Sequence, residues 1–325
     1  MTISIKRCAL ALILPSLALG ASPAFTQPAW KPTGAVTVVV PYSPGGGTDA
    51  QARAIAKELS TIWGQSVIVE NVPGADGLIG TRKVIGAKPD GQTLLLHTYA
   101  ITLSKHMSSS GGFDPMPQLV PASVFSQIPG VFVANPKLPG KTLAEVIQHC
   151  KTAAKPCSFA TTESVARLQA QMLRADYGLN NMVVVNYKGG GQVISDLVAG
   201  HVDMAIMGIT AAMPHYKSGS LKVLATLGSK RTPVTPEIPS AVEAGFPNLD
   251  QVTWYALFAP KGTPSNVVAG VSTATAQAVK AEGAAKTFLS LGATVLESSV
   301  AESESIARKE TERMDSLVNR FPLTE

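Results

Sequence analysis

The feature that most constrains the fold is a β-branched run that ends in three consecutive glycines and continues into a helical pattern. Val38–Val40 reads as a strand, Gly45–Gly47 as a tight turn, and Thr48 or Asp49 is placed to cap the helix that follows. Glycines accept left-handed backbone angles and let another molecule approach the main chain. The N–H groups of such a turn lie beside the positive end of a helix dipole and suit a carboxylate or a phosphate.

Hydrophobic periodicity around this turn predicts a parallel sheet. An amphipathic helix is predicted over Thr48–Trp63, and short buried strands over Val67–Val69 and Thr93–Leu96, which gives the order βαβαβ. Ligands of such sheets bind beyond the carboxyl ends of the strands. The segments expected at that edge are Tyr42–Thr48, Asn71–Gly77 and Thr98–Tyr99.

The second half of the chain repeats this arrangement. Strands are predicted near Ser158–Thr161, Met182–Tyr187, Val202–Met207 and Leu221–Leu227. A second glycine run, Gly189–Gly191, again stands between a strand and a helix, so two such turns could face one another across a cleft. The C-terminal part has too few strands for a third domain and is assigned to the first.

We therefore predict two lobes and two connections between them. Lobe 1 comprises residues 25–125 and 256–325, and lobe 2 comprises residues 126–255. The connections are expected near Ser123–Gln127 and Thr253–Leu257.

The first 24 residues have the pattern of a secretory signal peptide. Lys6 and Arg7 precede a largely apolar stretch, Cys8–Leu19, and small residues follow, with cleavage expected after Ala24 or after Gly20. The apolar stretch is shorter than the roughly 20 residues of a membrane span. We therefore expect an exported, soluble mature chain in the periplasm.

Charge argues against nucleic acid as a partner. The formal charge of +5 includes Lys6 and Arg7, so the mature chain carries only +3, and charged residues make up 15% of the sequence. Nucleic-acid-binding proteins often carry basic runs interleaved with aromatic residues, and this sequence has no such run.

Two cysteines remain after the signal peptide. Cys150 and Cys157 flank a short segment between a helix pattern and a strand pattern, which is a plausible loop for a disulfide in an oxidising compartment. Two free thiols are the alternative. A metal pair is disfavoured because no further cluster with ligand spacing accompanies them.

The glycine turn also fits a dinucleotide fingerprint. Gly45–Ala50 matches G-x-G-x-x-A between a strand and a helix, and Glu70 ends the next strand 20 residues later. Export to a compartment with little nicotinamide cofactor argues against that chemistry. A phosphate-binding loop is a weaker alternative, because no lysine follows the glycines. A glycine turn that binds no ligand is a further alternative.

Hydrolase chemistry receives little support. The sequence has no G-x-S-x-G elbow and no H-E-x-x-H motif, and its histidines stand alone. His97 is the exception to follow, because it lies at the carboxyl end of a predicted strand.

Seven motifs in order along the chain resemble the periplasmic receptors of tripartite tricarboxylate transporters, the Bug family. They are Val40–Asp49, Val69–Ala75, Lys88–Gly91, Asn135-Pro136, Tyr187–Gly191, Gly200–Asp203 and Phe258–Pro264. The resemblance implies an α/β periplasmic-binding-protein fold of the two-lobe Venus-flytrap type (type II) with two hinge strands. It also implies a receptor without catalytic activity that binds a small organic carboxylate and delivers it to a membrane permease.

In that family a ligand carboxylate is held by the loop after the first strand and by the loop before the first helix of lobe 2. The first matches Ser43–Asp49 here and the second matches Thr161, Thr162, Glu163 and Ser164. This second loop is shorter than is usual for the family, and Arg167 stands where the family usually has a histidine.

Arg167 allows two interpretations. It could reach into the cleft and clamp a second carboxylate bidentately, which would favour a dicarboxylate or an aromatic carboxylate. Alternatively it pairs with Glu163, four residues earlier on the same helix face, and touches no ligand.

Side chains in the middle of the cleft would decide the shape of the ligand, and Tyr42, Tyr99, Met207 and Trp254 are the candidates. We expect no catalytic residue, cofactor or metal, and a monomeric chain. The complete set of predicted ligand-binding residues is Tyr42, Ser43, Gly46, Gly47, Thr48, Asp49, Thr98, Tyr99, Thr161, Thr162, Ser164, Arg167, Gly190, Met207 and Trp254.

Overall fold

The computed structural model describes residues 30–107, 110–161, 164–187 and 190–323. The predicted signal peptide, residues 1–24, lies outside the described residues. Within the described ranges, no helix combines the length and apolar character needed to cross a membrane.

Within the described residues, ten strands are interspersed with helices. The strands are β1 (Val36–Val40), β2 (Val67–Asn71), β3 (Thr93–Thr98), β4 (Leu119–Ala134), β5 (Ser158–Thr161), β6 (Val183–Asn186), β7 (Met204–Gly208), β8 (Lys222–Leu227), β9 (Val252–Pro260) and β10 (Thr294–Val295).

The described part of the chain forms nine α-helices and several short 3-10 helices, of which Tyr99–His106 is the longest. The α-helices are α1 (Gly47–Trp63), α2 (Leu78–Ile85), α3 (Leu143–Thr152), α4 (Ser164–Tyr177), α5 (Gly190–Ala199), α6 (Ile209–Lys217), α7 (Ser265–Ala278), α8 (Glu282–Ser290) and α9 (Val300–Arg320).

The first sheet, called sheet A, has the order β2-β1-β3-β9-β4-β10. Strands β1, β2 and β3 are parallel, whereas β9 runs antiparallel to both β3 and β4. Val36 and Val38–Val40 of β1 are fully buried, as expected for a central parallel strand that is covered by helices on both faces. The predicted βαβαβ order is thus confirmed, and lobe 1 denotes the elements around this sheet.

The second sheet, called sheet B, has the order β8-β4-β7-β5-β6. Strands β5, β6 and β7 are parallel, and β4 runs antiparallel between β7 and β8. Lobe 2 denotes the elements around sheet B.

Strand β4 belongs to both sheets. It pairs with β9 as far as Pro129 and with β7 and β8 from Gly130 onward, so the chain crosses between the lobes at this step. The sequence analysis expected a connection between the lobes near Ser123–Gln127. The strand is in fact continuous, because pairing on sheet A passes directly into pairing on sheet B. The lobe boundaries at residues 125/126 and 255/256 stay a prediction.

Three helices begin in different ways. Helix α9 has a complete capping box formed by Ser299 and Glu302. Helix α1 begins at Gly47 with Gly46 as its N-cap, so the prediction of Thr48 or Asp49 as the cap was wrong. The N-cap of α7 is Pro264, and the hydroxyl of the preceding Thr263 donates to the Pro260 carbonyl.

Contacts away from the connecting strands also join the lobes. At the end of α9, Arg320 pairs with Asp176 of α4. At the start of α6, the Thr210 hydroxyl donates to the Leu291 carbonyl at 2.5 Å. A Cβ on the neighbouring Gly292 would lie 2.7 Å from Ile209 Cγ2, so the two lobes touch closely there.

Cys150 and Cys157 are joined by a disulfide, with their Cα atoms 5.5 Å apart. Cys157 is buried in the lobe 2 core beside Phe132 and Phe159, and Cys150 packs at its edge. The bridge therefore ties the end of α3 to the start of β5 over a sequence separation of 7 residues.

We expect the double substitution Cys150→Ser and Cys157→Ser to lower the free energy of unfolding by about 2 kcal/mol, because the unfolded chain regains the entropy of this short loop. Urea titration measures the change. Wild-type protein treated with reductant is the control and should unfold like the variant. Identical urea midpoints for oxidised wild type and double variant would contradict the prediction.

Candidate functional site

A cavity of about 260 Å³ lies between the two lobes. Lobe 1 contributes the 3-10 helix and β9, lobe 2 contributes β5, β7, β8 and three helices, and β4 lines the cavity where it crosses between the sheets. The lining residues are Tyr99, Ile128, Pro129, Gly130, Ala160, Val165, Ala166, Gln169, Gly190, Val193, Ile206, Met207, Gly208, Ala211, Leu227, Gln251, Thr253 and Tyr255.

Helix N-termini from lobe 2 converge on this cavity. Gly190 begins α5, Gly208 is the N-cap of α6, and Val165 and Ala166 belong to the first turn of α4. A Cβ added at Gly190 or Gly208 would meet no atom within 4 Å, so open space lies in front of both. Exposed N–H groups and aligned peptide dipoles at these ends favour an anion over a cation.

The glycine turn of lobe 1 lies at the rim of the cleft. Gly45, Gly46 and Gly47 are all exposed, and Gly45 has a left-handed φ of 87°, which explains the requirement for glycine at that position. A Cβ on Gly47 would lie 3.9 Å from the hydroxyl of Tyr255, which also lines the cavity. Tyr255 therefore connects the turn to the cavity.

The buried carboxylate of Asp49 fixes the conformation of this glycine turn. Its Oδ2 accepts the Gly45 N–H at 3.0 Å and the Arg53 Nε–H at 3.0 Å. Arg53 in turn donates to Asn71, and the Asn71 amide donates to the Tyr42 carbonyl at 3.1 Å. This Asp49 network ties together the loops that follow β1 and β2.

Burial of Asp49 acts to raise the pKa of its carboxyl, but the hydrogen bonds from Arg53 and Gly45 outweigh burial and lower that pKa. The group is thus an anion at neutral pH. Asp49 therefore organises the turn through these hydrogen bonds. It does not belong to the described cavity lining, and its predicted contact with a ligand stays a prediction.

A second polar cluster lies at the carboxyl end of β3. The Tyr42 hydroxyl is 3.2 Å from the Thr98 hydroxyl and 3.4 Å from His97 Nδ1, and the Thr98 hydroxyl accepts the Ala100 N–H. These bonds fix the start of the 3-10 helix that carries Tyr99 into the cavity.

His97 is completely buried in this cluster. Nδ1 accepts the Thr98 N–H at 2.8 Å, and Nε2 has no hydrogen-bond partner. Burial lowers the pKa of His97 to about 4, against the smaller opposing effect of the Thr98 carbonyl oxygen, which lies 3.0 Å from Nδ1. His97 is a neutral structural residue at physiological pH.

Of the predicted side chains, the structure brings Tyr99 and Met207 to the cavity, together with the predicted Gly190. Ser43, Gly46, Gly47 and Thr48 lie at the rim on the glycine turn, and Tyr42 and Thr98 lie behind the lining. Thr162 lies outside the described residues, and Ser164 is described only as the first residue of α4.

Three predicted contacts do not reach the cavity. The Thr161 hydroxyl donates to Asn186 at 2.6 Å and thereby joins β5 to β6. Trp254 packs on Phe258, because alternation along β9 turns Thr253 and Tyr255 toward the cavity and Trp254 away from it. Arg167 is half-buried on α4 and does not belong to the described cavity lining, so both interpretations of Arg167 stay predictions.

The sequence analysis missed Tyr255, Gln169 and Gln251. The Gln169 amide donates to Gln251 Oε1 at 3.0 Å, and both side chains are more than 90% buried. A signal was present for Gln169, since it follows Val165 by four residues on the apolar face of the predicted helix and is polar where a core residue is expected.

Comparison with known proteins decides the family. The family model described as the tripartite tricarboxylate transporter family receptor matches residues 51–323. The chain belongs to this family of receptors. The receptor is 34% identical over 268 residues to protein BugT of Bordetella pertussis, a match that covers 81% of this chain and 82% of BugT.

Solved structures agree with this assignment. The receptor superposes on the periplasmic binding protein BugD with a TM-score of 0.74 at 27% identity, covering 90% of this chain and 99% of BugD. It superposes on MatC from Rhodopseudomonas palustris, solved with bound malate, with a TM-score of 0.72 at 30% identity, covering 88% and 99% of the two chains. The predicted two-lobe periplasmic-binding-protein fold is thus confirmed.

We expect Asp49→Ala to lower the free energy of unfolding by about 1 to 3 kcal/mol, because it removes the acceptor of the Gly45 and Arg53 hydrogen bonds. Chemical denaturation measures the loss. Asp90→Ala is the matched control, since exposed Asp90 accepts one backbone N–H, from Gln92. Equal losses for the two variants would show that the Asp49 network does not stabilise the turn.

We also expect the free energy of unfolding to fall as pH is lowered from about 6.5 toward 4. The folded state depresses the pKa of His97 to about 4, so the unfolded chain binds the extra proton over this range and stability is lost. The full effect is on the order of 3 kcal/mol. Denaturant titrations at several pH values should show a flatter profile for His97→Gln, with His201→Gln as the exposed control. Parallel profiles for wild type and His97→Gln would contradict it.

Proposed function

We propose that this receptor is exported to the periplasm, binds a small organic carboxylate in the cavity between its lobes, and delivers it to the membrane permease of a tripartite tricarboxylate transporter. The protein acts by binding and carries out no reaction. The ligand carboxylate is held by backbone N–H groups rather than by a reacting side chain.

The observation that carries this proposal is the convergence of helix N-termini on one cavity. The ends of α4, α5 and α6 meet there from lobe 2, and the glycine turn at the start of α1 lies beside Tyr255 on the opposite lobe. Several charge-assisted hydrogen bonds of roughly 1.5 to 3 kcal/mol each are available to an anion in such a place. MatC, a relative of similar structure, was solved with malate, which is a small carboxylate.

The competing interpretation is an exported dinucleotide-dependent oxidoreductase that uses the Gly45–Ala50 turn. Three features of the structure disfavour it. Sheet A begins β2-β1-β3, whereas the dinucleotide-binding order continues from β1 to a fourth strand. Glu70, the candidate ribose ligand, is paired with Lys83. The Asp49 carboxylate occupies the N–H of Gly45 that a pyrophosphate would need.

Thermal-shift measurements with a panel of small carboxylates and nicotinamide cofactors test the proposal. A ligand present at 100 times its dissociation constant adds about 2.7 kcal/mol to stability, so a bound carboxylate should raise the melting temperature visibly. Nicotinamide cofactors should leave it unchanged.

A variant that fills the cavity without disturbing the fold sharpens this test. Gly208→Leu places a side chain in open space in front of α6 and should abolish the carboxylate-dependent shift. Gly86→Leu is the matched control, because Gly86 is exposed at the end of α2, far from the cavity lining. A shift with nicotinamide cofactors alone, or a carboxylate shift that survives in Gly208→Leu, would overturn the proposed site.

A further inference from the structure

Helix α5 of lobe 2 begins with two glycines at the wall of the cavity. Gly190 and Gly191 are its first two residues, both are exposed, and a Cβ on either would meet no atom within 4 Å. Gly190 and Val193 of this first turn line the cavity. Glycines lose more conformational freedom in a helix than other residues do, and they offer no side chain that could fix its start. The first turn of α5 therefore has to be held by groups outside it.

Tyr187, which directly follows β6, supplies such groups. Its N–H donates to the Thr161 carbonyl at 2.7 Å, which fixes it to the end of the neighbouring strand β5. Its hydroxyl donates to Oδ2 of Asp196, in the second turn of α5, at 2.6 Å. Tyr187 therefore joins sheet B to the helix across the two glycines.

Asp196 links this hydrogen bond to the other end of the helix. Its Oδ1 lies 3.4 Å from His201 Nδ1, and its carbonyl accepts the N–H groups of Gly200 at 2.9 Å and His201 at 2.8 Å. The motifs Tyr187–Gly191 and Gly200–Asp203, which stand at the two ends of α5, thus meet at one residue. Removal of the tyrosine hydroxyl alone affects the start of the helix and leaves the bonds at its end in place.

Both partners keep the protonation states that the hydrogen bond needs. Burial, together with the adjacent Asp196 carboxylate, raises the pKa of the Tyr187 hydroxyl to about 12. The hydrogen bond from this hydroxyl is the main cause that lowers the pKa of Asp196. At neutral pH the tyrosine is therefore a donor and the aspartate an anion, and such a charge-assisted hydrogen bond is stronger than a neutral one.

We propose that Tyr187 is a positioning residue for the ligand carboxylate, because it holds the cavity-lining first turn of α5 in one arrangement through Asp196 before a ligand binds. Neither Tyr187 nor Asp196 belongs to the cavity lining, so the pair acts through the helix and not by contact with the ligand. This inference rests on the proposed carboxylate-binding function.

The expected effect on affinity follows from preorganisation. A site whose groups are already ordered loses less conformational freedom on binding and therefore binds more tightly. Without the hydroxyl of Tyr187, the first turn of α5 has to be ordered when the ligand binds. A charge-assisted hydrogen bond corresponds to roughly 10- to 150-fold in an equilibrium constant, and we expect Tyr187→Phe to lose part of that factor, at least about 5-fold, in affinity.

Isothermal titration calorimetry of wild type and Tyr187→Phe measures this loss, with acetate, malate, adipate, citrate and benzoate as probes. Tyr177→Phe is the matched control, because the Tyr177 hydroxyl accepts the Asn248 N–H at 3.1 Å in lobe 2 and lies outside the cavity lining. The control should keep the wild-type affinity within about 2-fold, since distant sites act independently.

Two substitutions of Asp196 separate its role as an acceptor from its charge. Asp196→Asn keeps an acceptor for the tyrosine hydroxyl and removes the charge, whereas Asp196→Ala removes both. We expect a larger loss of affinity in Asp196→Ala than in Asp196→Asn. This pair also tests the inference if Tyr187→Phe fails to fold, which circular dichroism melting checks.

Amide hydrogen exchange of the ligand-free protein shows whether the first turn itself is loosened. In an α-helix the N–H groups of Ile194 and Ser195 bond to the carbonyls of Gly190 and Gly191, so their exchange reports on this turn. We expect exchange at both amides to be at least about 5-fold faster in Tyr187→Phe than in wild type, and unchanged in Tyr177→Phe.

Three results would overturn the inference while leaving the proposed function intact. They are wild-type affinity of Tyr187→Phe for every carboxylate that binds, an equal loss of affinity in Tyr187→Phe and Tyr177→Phe, and wild-type exchange at Ile194 and Ser195 in Tyr187→Phe. If none of the five carboxylates binds wild type, the proposed function fails and the inference fails with it.

Discussion

The hydrogen bonds accepted by the Asp49 carboxylate are the interaction on which the ligand-facing edge of lobe 1 depends. A run of three exposed glycines has no side chains with which to fix its own conformation, so its shape must be imposed from outside. Asp49 imposes it through Gly45, and Arg53 and Asn71 extend the same set of bonds to Tyr42. Because this carboxylate is buried and partnered within the protein, the free N–H groups of the turn are presented outward in one arrangement.

The cavity depends on a different constraint, which is the passage of β4 and β9 between the lobes. The step from Pro129 to Gly130 ends pairing with β9 and begins pairing with β7 and β8, and both residues line the cavity. Strand alternation then decides which side chains of β9 reach the ligand. Thr253 and Tyr255 face the cavity, and Trp254 between them packs on the core with Phe258.

Much of the fold could be predicted from the sequence. The βαβ order follows from the periodicity of the apolar residues, and the three consecutive glycines mark the turn between the first strand and the first helix. The insertion of β9 between β3 and β4 could not be predicted, since pairing of segments so distant in the chain has no local signature.

The sequence analysis chose Trp254 and not Tyr255 as a ligand contact, and this choice has a physical explanation. A strand that is apolar on both faces shows no alternation, so its sequence does not reveal which face meets the ligand. The prediction of Asp49 as a helix cap was wrong for a related reason. An acidic residue near a helix start predicts a cap, but which backbone N–H it accepts depends on the residue at which the helix begins.

The first turn of α6 belongs to two surfaces at once. Gly208 and Ala211 face the cavity, whereas Ile209 and Thr210 press against Leu291 and Gly292 of the other lobe. Any separation of the lobes has to break the Thr210–Leu291 hydrogen bond and uncover Ile209, which is fully buried in this arrangement. The surface where α6 meets Leu291 and Gly292 therefore has to change whenever the lobes separate, although it lies beside the cavity lining and not in it.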